Sequence, residues 1–144
     1  MYIAVACCAG SFAPFTIGHK DIIERAAAMF DRVVVGIGQN SAKKNVESAE
    51  ARAAQIRRAC PGVEVVVYEG LTALAARRHN ATVLLRSLRN STDMVYETPI
   101  AEANRREFGI DTVFLLSRPE LAHVSSSLVR ELAVHGHDVA HLLG

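Results

Sequence analysis

The chain has 144 residues, a mass of 15.6 kDa and a mean hydropathy of +0.17. Half of its residues are hydrophobic and 22% are charged, which supports a packed core and excludes a disordered chain. Lys plus Arg is 16 and Asp plus Glu is 15, a formal charge of +1, so no broad field draws the protein to nucleic acid or an anionic membrane, although small basic pockets fit that balance.

The length corresponds to one domain over residues 1–144. The three cysteines, Cys7, Cys8 and Cys60, are odd in number and show no Cys-x-x-Cys spacing, so they read as buried small apolar residues in a reducing compartment. No charged residue precedes Lys20, which leaves a signal peptide without its basic n-region. The first apolar run, Met1 to Ala9, is too short to cross a bilayer. A soluble, cytoplasmic protein is expected.

Ile3 to Cys7 is a short apolar run bounded by Gly10 and predicts a buried strand. His19 to Phe30 follows as a helix with Ile22, Ile23, Ala26, Met29 and Phe30 on one face. Val33 to Ile37 is the second strand, and Gln39 to Glu47 a polar loop carrying Lys43 and Lys44. Ser48 can cap a helix in which Ala49, Ala53, Ile56 and Cys60 recur at helical spacing, stopped by Pro61-Gly62. Val63 to Tyr68 predicts a strand, Leu71 to Arg78 a short helix, and Thr82 to Leu85 a strand with Arg86 directly after it. Asp93 to Phe108 reads as a longer helix with Pro99 inside it, Thr112 to Leu116 as the fifth strand, Ser126 to His135 as the last helix, and the tail from Asp138 as one further turn.

Strands and helices alternate, and the strands are apolar throughout rather than every second residue. The fold class is therefore α/β: a single doubly wound, Rossmann-like five-stranded parallel sheet with helices on both faces. Ligands of such sheets bind beyond the carboxyl ends of the strands, near the switch point, which singles out loops 8–19, 38–47, 69–72, 86–92 and 117–127.

In the first of these loops Gly10 lets the backbone turn tightly, Ser11 offers a hydroxyl and an N–H, and Gly18 permits close approach. His19 at a helix start reads either as a donor to a phosphate oxygen or as a surface cap. Neither G-x-x-x-x-G-K-[ST] nor G-x-G-x-x-G is present. Lys43 is a mobile point charge that can reach across the sheet edge, or a solvated loop lysine. Arg86 and Arg89, three residues apart at a strand end, suit bidentate phosphate recognition. Val124-Ser125-Ser126-Ser127 sets three hydroxyls before a helix, as an anion-binding end or as one N-cap with two bystanders. The remaining histidines show no metal-ligand spacing, so no protein metal site is expected.

Taken in order, Gly10-Ser11-Phe12, Thr16-Ile17-Gly18-His19, Lys43-Lys44, Leu85-Arg86-Ser87-Leu88-Arg89, Asp93-Met94-Val95-Tyr96-Glu97, Asn104-Arg105 and Val124 to Glu131 resemble the bacterial phosphopantetheine adenylyltransferase family. The Thr-x-Gly-His element alone indicates only the wider nucleotidyltransferase superfamily; the arginine loop and the serine helix start select this member. The resemblance implies adenylyl transfer from ATP to 4′-phosphopantetheine in coenzyme A synthesis, giving dephospho-coenzyme A and pyrophosphate, with Mg²⁺ carried mainly on the ATP phosphates. It implies His19, Lys43 and Arg89 as catalytic residues and Ser11, Lys43, Thr72 and Arg86 at the pantetheine-binding positions. It also implies an ATP-binding set of Ser11, Phe12, His19, Ser87, Leu88, Arg89 and Glu97 with Leu121, Ala122, His123, Val124, Ser125, Ser126 and Ser127. A homohexamer is implied, with coenzyme A as a candidate feedback ligand. Ser87 stands where the family commonly has glycine, so the backbone there must avoid positive φ or accept strain. Two other readings stay open: a sister nucleotidyltransferase acting on another phosphate such as nicotinamide mononucleotide, and a degenerate nucleotide-binding paralogue without activity.

Overall fold

A computed structural model of the chain describes residues 5–39 and 48–144. In chain order it contains β1 (Val5–Gly10), α1 (Ile17–Met29), β2 (Arg32–Gly38), α2 (Ala49–Ala59), β3 (Glu64–Tyr68), α3 (Thr72–Arg78), β4 (Val83–Leu88), α4 (Ser91–Phe108), β5 (Asp111–Leu116) and α5 (Ser126–Val134). Two 3-10 turns, Pro119–Leu121 and Ala140–Leu142, flank α5. All strand pairs are parallel, in the spatial order β3-β2-β1-β4-β5. This is the five-stranded, doubly wound α/β sheet that the unbroken apolar strands predict.

Successive residues of a strand face opposite sides of the sheet, and β1 shows the consequence. Ala6 and Cys8 pack into a core with Ile22, Ile23 and Ala26 of α1 and Ala53 and Ile56 of α2. Cys7 and Ala9 pack on the other side with Ala73 and Ala76 of α3, Leu84 and Ile110. Phe15, Ile23, Ile37 and Ile56 are fully buried, and each such side chain contributes about 1.5–3 kcal/mol when removed from water. The neighbouring thiols of Cys7 and Cys8 thus lie in different cores, where burial pushes them up to about 11 and about 12. All three cysteines are free and buried.

Several boundaries differ from the sequence expectation. β1 runs to Gly10 rather than ending at Cys7, since it pairs with β2 up to Gly10↔Ile37. β4 runs three residues beyond Leu85, so Arg86 and Ser87 are strand residues and not a loop. Pairing with β5 continues to Leu88↔Leu116, and the Arg86 guanidinium finds acceptors at the strand edge, which removes the penalty of a charge inside a strand. Ser87, held in the strand, is not among the residues with positive φ. α4 starts at Ser91 because Asn90 caps it, its side chain accepting from the Asp93 N–H at 2.9 Å. α4 is assigned unbroken through Pro99. The turn at Pro119 had no counterpart in the hydrophobic pattern, being too short to show a period. Among the described residues no helix is long and apolar enough to cross a membrane.

Candidate functional site

The chain leaves β1 toward β2 on one side and leaves β4 toward β5 on the other, so the loops after β1 and β4 diverge and open a crevice at their carboxyl ends. Two cavities occupy it. The first, about 390 Å³, is lined by Gly10, Ser11, Phe12, Thr16, Gly18 and His19, by Arg86, Ser87, Arg89, Asp93 and Glu97, and by Leu121, Val124, Ser125, Ser126, Ser127 and Arg130. The second, about 620 Å³, lies over Gly38, Gln39, Tyr68, Thr72, Tyr96 and Asn104. Ser11, Arg86 and Glu97 border both.

α1 begins in a capping box. Thr16 is its N-cap, its hydroxyl oxygen accepting from the His19 N–H at 3.3 Å, while the Thr16 N–H donates to His19 Nδ1 at 3.0 Å. His19 is therefore the third helical residue rather than the first. Because Nδ1 accepts, the neutral ring carries its hydrogen on Nε2. The ring lies edge-on to Phe12, with centroids 4.9 Å apart, and stacks on Phe15 at 6.0 Å. Burial, then the charges of Arg86 and Arg89, lower its pKa to about 4. The imidazole bordering the first cavity is thus a neutral N–H donor of fixed tautomer at neutral pH.

Arg86 and Glu97 form the wall between the cavities. Arg86 Nε donates to both Glu97 oxygens at 3.2 and 3.1 Å, Nη2 donates to Oε1 at 2.6 Å, and Nη1 donates to the Ala9 carbonyl. Burial works against the Arg86 charge, but the Glu97 hydrogen bonds and charge outweigh it and raise the pKa. The sequence reading gave Glu97 to ATP and Arg86 to pantetheine; the structure ties the two together. Arg89 is held likewise: Nε and Nη2 donate to the two Asp93 oxygens at 2.9 and 3.1 Å, and the Arg89 N–H donates to Asp93 at 2.9 Å. These bonds hold the Asp93 carboxyl below its usual range and raise the Arg89 pKa.

At the start of α5 each serine has its own bond. Ser125 is the N-cap, accepting from the Leu128 N–H at 3.1 Å; Ser126 Oγ donates to the Pro14 carbonyl at 2.8 Å; Ser127 Oγ accepts from Arg130 Nη2 at 3.2 Å. One hydroxyl caps the helix, one ties the helix to the first loop, and one meets a cation.

The structure brings Ser11, Phe12, His19, Ser87, Arg89, Glu97, Leu121, Val124, Ser125, Ser126 and Ser127 to the first cavity, and Ser11, Thr72 and Arg86 to the second. Leu88, Ala122 and His123 border neither. Leu88 is buried at the end of β4, and its carbonyl is taken by the Ser117 N–H. His123 is exposed. Lys43 and Lys44 lie outside the described residues. Asp93 and Arg130 stand in segments that carry the resemblance but were given no role there, and Tyr68 and Arg52 were not singled out from the sequence. Asp93 sits four residues after Arg89, an ion-pair spacing. Arg52 falls on the apolar face that Ala49, Ala53 and Ile56 define, a position where a charge is unexpected.

A family model of cytidylyltransferase-like proteins matches residues 7–132. A protein from Porphyromonas gingivalis named phosphopantetheine adenylyltransferase is 45% identical over 142 residues, covering 96% of this chain and 93% of its own. One of the same name from Leuconostoc citreum is 42% identical over 139 residues, covering 94% of this chain and 88% of its own. In three dimensions the chain is similar to the lipopolysaccharide core biosynthesis protein from Thermoplasma volcanium, with a TM-score of 0.60 and 14% identity over 81% of this chain and 98% of that one, a likeness of fold alone. With most of its length matched at such identity, and its crevice lined by residues of the motifs that carry the resemblance, the chain belongs to the phosphopantetheine adenylyltransferase family of the cytidylyltransferase-like proteins.

Proposed function

We propose that this protein transfers the adenylyl group of ATP to the phosphate of 4′-phosphopantetheine, a step of coenzyme A synthesis. The acceptor phosphate oxygen attacks the α-phosphorus, the bond from that phosphorus to the bridging oxygen of the β-phosphate breaks, and pyrophosphate leaves as dephospho-coenzyme A forms. The observation that carries this reading is the pair of cavities meeting at Arg86, whose guanidinium is held in a fixed orientation by Glu97 and borders both. The attacking phosphate is already an anion, so no strong general base is required. The barrier lies in bringing two anions into line and stabilising a crowded phosphorus, which calls for positioning and electrostatics. The first cavity takes ATP, with Arg89 and the N-terminus of α5 toward its phosphates and the His19 Nε2–H toward the α-phosphate. The second takes the pantetheine arm along Thr72, with Lys43 serving its phosphate.

Mg²⁺ enters on the nucleotide. Both carboxylates of the first cavity, Asp93 and Glu97, are engaged by arginines, and the described residues hold no cluster of three His, Cys, Asp or Glu suited to a metal. Among the described residues those two carboxylates are thus committed to arginines, and the ion is proposed to be held by the ATP phosphates.

Pyrophosphate release from ATP plus 4′-phosphopantetheine is expected, with nicotinamide mononucleotide as an inert control acceptor. Release with the nicotinamide acceptor alone would replace this reading with the sister activity. A cytoplasmic homohexamer, with coenzyme A as a feedback ligand, completes the proposal. Met94 and Val95 on α4 and Leu116 at the end of β5 are exposed and apolar, which suits burial between subunits. Light scattering at micromolar concentration should give about six times 15.6 kDa; an active monomer would refute the assembly.

A further inference from the structure

Arg52 on α2 is 7% exposed, among the most buried charged residues described. Its Nη1 donates to the Ser11 carbonyl. Its Nε is buried without a hydrogen-bond partner, and among the described residues no carboxylate pairs with it. Such a charge is poorly compensated, and at this place on the apolar face of α2 an aliphatic residue would serve stability better.

The other end of the contact gives the arginine a purpose. The cis peptide bond described is Ala13–Pro14, so the peptide joining Ser11 to Phe12 is trans, and its C=O and N–H point in opposite directions. Ser11 and Phe12 border the first cavity and Arg52 borders neither. Because Arg52 holds the carbonyl, the Phe12 N–H lies on the opposite side of the peptide plane, pointing away from Arg52. That N–H meets no acceptor among the described residues. Phe12 also sits at φ 50, a left-handed conformation uncommon for an aromatic residue, which persists only where its surroundings over-determine it. Its ring is packed on Phe15 and His19, and Arg52 fixes the peptide before it.

We propose that Arg52 is a positioning residue for nucleotide binding: its hydrogen bond to the Ser11 carbonyl holds the Ser11–Phe12 peptide so that the Phe12 N–H donates to an ATP phosphate. This rests on the assignment of the first cavity to ATP.

The test combines calorimetric titration of ATP with the amide NMR signal of Phe12, in the wild type, Arg52→Met and Arg52→Lys. In the wild type ATP should move the Phe12 amide signal as it gains a charged acceptor. In Arg52→Met that movement should be lost and the ATP Kd should rise about tenfold, as for a lost hydrogen bond to a charged group. Arg52→Lys, which keeps a donor at the end of a long stem, should return to within about threefold of wild type. An Arg52→Met variant that melts earlier but binds ATP and moves the Phe12 amide as the wild type does would overturn the proposal. So would a wild-type Phe12 amide that ignores ATP, a result that needs no variant to fold. ATP that moves this amide in the wild type and not in Arg52→Met supports the role even where 4′-phosphopantetheine releases no pyrophosphate, an outcome that overturns only the acceptor.

Discussion

Replacing His19 with alanine is expected to slow turnover by about 10²–10³-fold while leaving a folded protein that binds ATP. The ring is a neutral donor whose Nε2–H is fixed by the Thr16 N–H bonded to Nδ1. It can strengthen its hydrogen bond as charge builds on the α-phosphate oxygens, and it does so without taking up a proton. With the pKa lowered to about 4, the contribution of His19 should be flat from about pH 5 upward. Stability should behave differently. The native pKa lies below the unfolded value of 6.5, so the unfolded chain takes the proton first. The stabilisation present above pH 6.5 is lost as pH falls toward 4. The alanine variant also loses half of a capping box, worth about 1 kcal/mol. His19→Asn offers an acceptor to the Thr16 N–H and should recover melting temperature but not rate. Near-normal turnover in either variant would remove His19 from the mechanism.

Arg86→Met should weaken both substrates at once. The guanidinium stands in the wall common to the two cavities, so steady-state kinetics should show KM raised for ATP and for 4′-phosphopantetheine, each by roughly 10–100-fold for a lost charged contact. Arg89→Lys should raise the ATP value alone, because a lysine cannot reproduce a bidentate contact. Arg86→Met also strands the Glu97 carboxylate, only 6% exposed, and should lower stability by about 1–3 kcal/mol, less than for a fully buried pair because the arginine is partly open to the cavities. Removing both partners, as in Arg86→Met with Glu97→Met, should restore much of that stability and none of the activity. An Arg86→Met enzyme with only its pantetheine KM raised would return Arg86 to a single substrate.

The order of elements was legible in the sequence because buried parallel strands are apolar at every position, as Val33 to Ile37 are. The capping serine of α2 and the breaks at Pro61-Gly62 fixed loop lengths. Strand ends were less legible. Arg86 marks the end of β4 by composition, yet the ladder runs past it because Glu97, eleven residues on and on another element, neutralises the charge. Contacts between distant parts of the chain have no local pattern, so the pairing of Ser126 with Pro14 and of Arg52 with Ser11 had to come from the fold. The motif residues at the crevice were legible one by one. What the sequence could not show was which cations already carry a partner: Arg86 and Arg89, alike as point charges, are each braced by a carboxylate that sets the direction of the guanidinium plane.

The shared wall of the two cavities has a consequence for what occupies them. A molecule long enough to lie along both, as the proposed product would be, meets Arg86 once but surrenders its rotational and translational freedom only once as well. Two separate ligands surrender theirs twice and crowd two negative charges against one guanidinium. A single tethered ligand therefore gains the effective concentration of its second half without added contacts, and it excludes either substrate alone. Departure of the joined molecule, rather than arrival of its halves, then becomes the event with the most to undo.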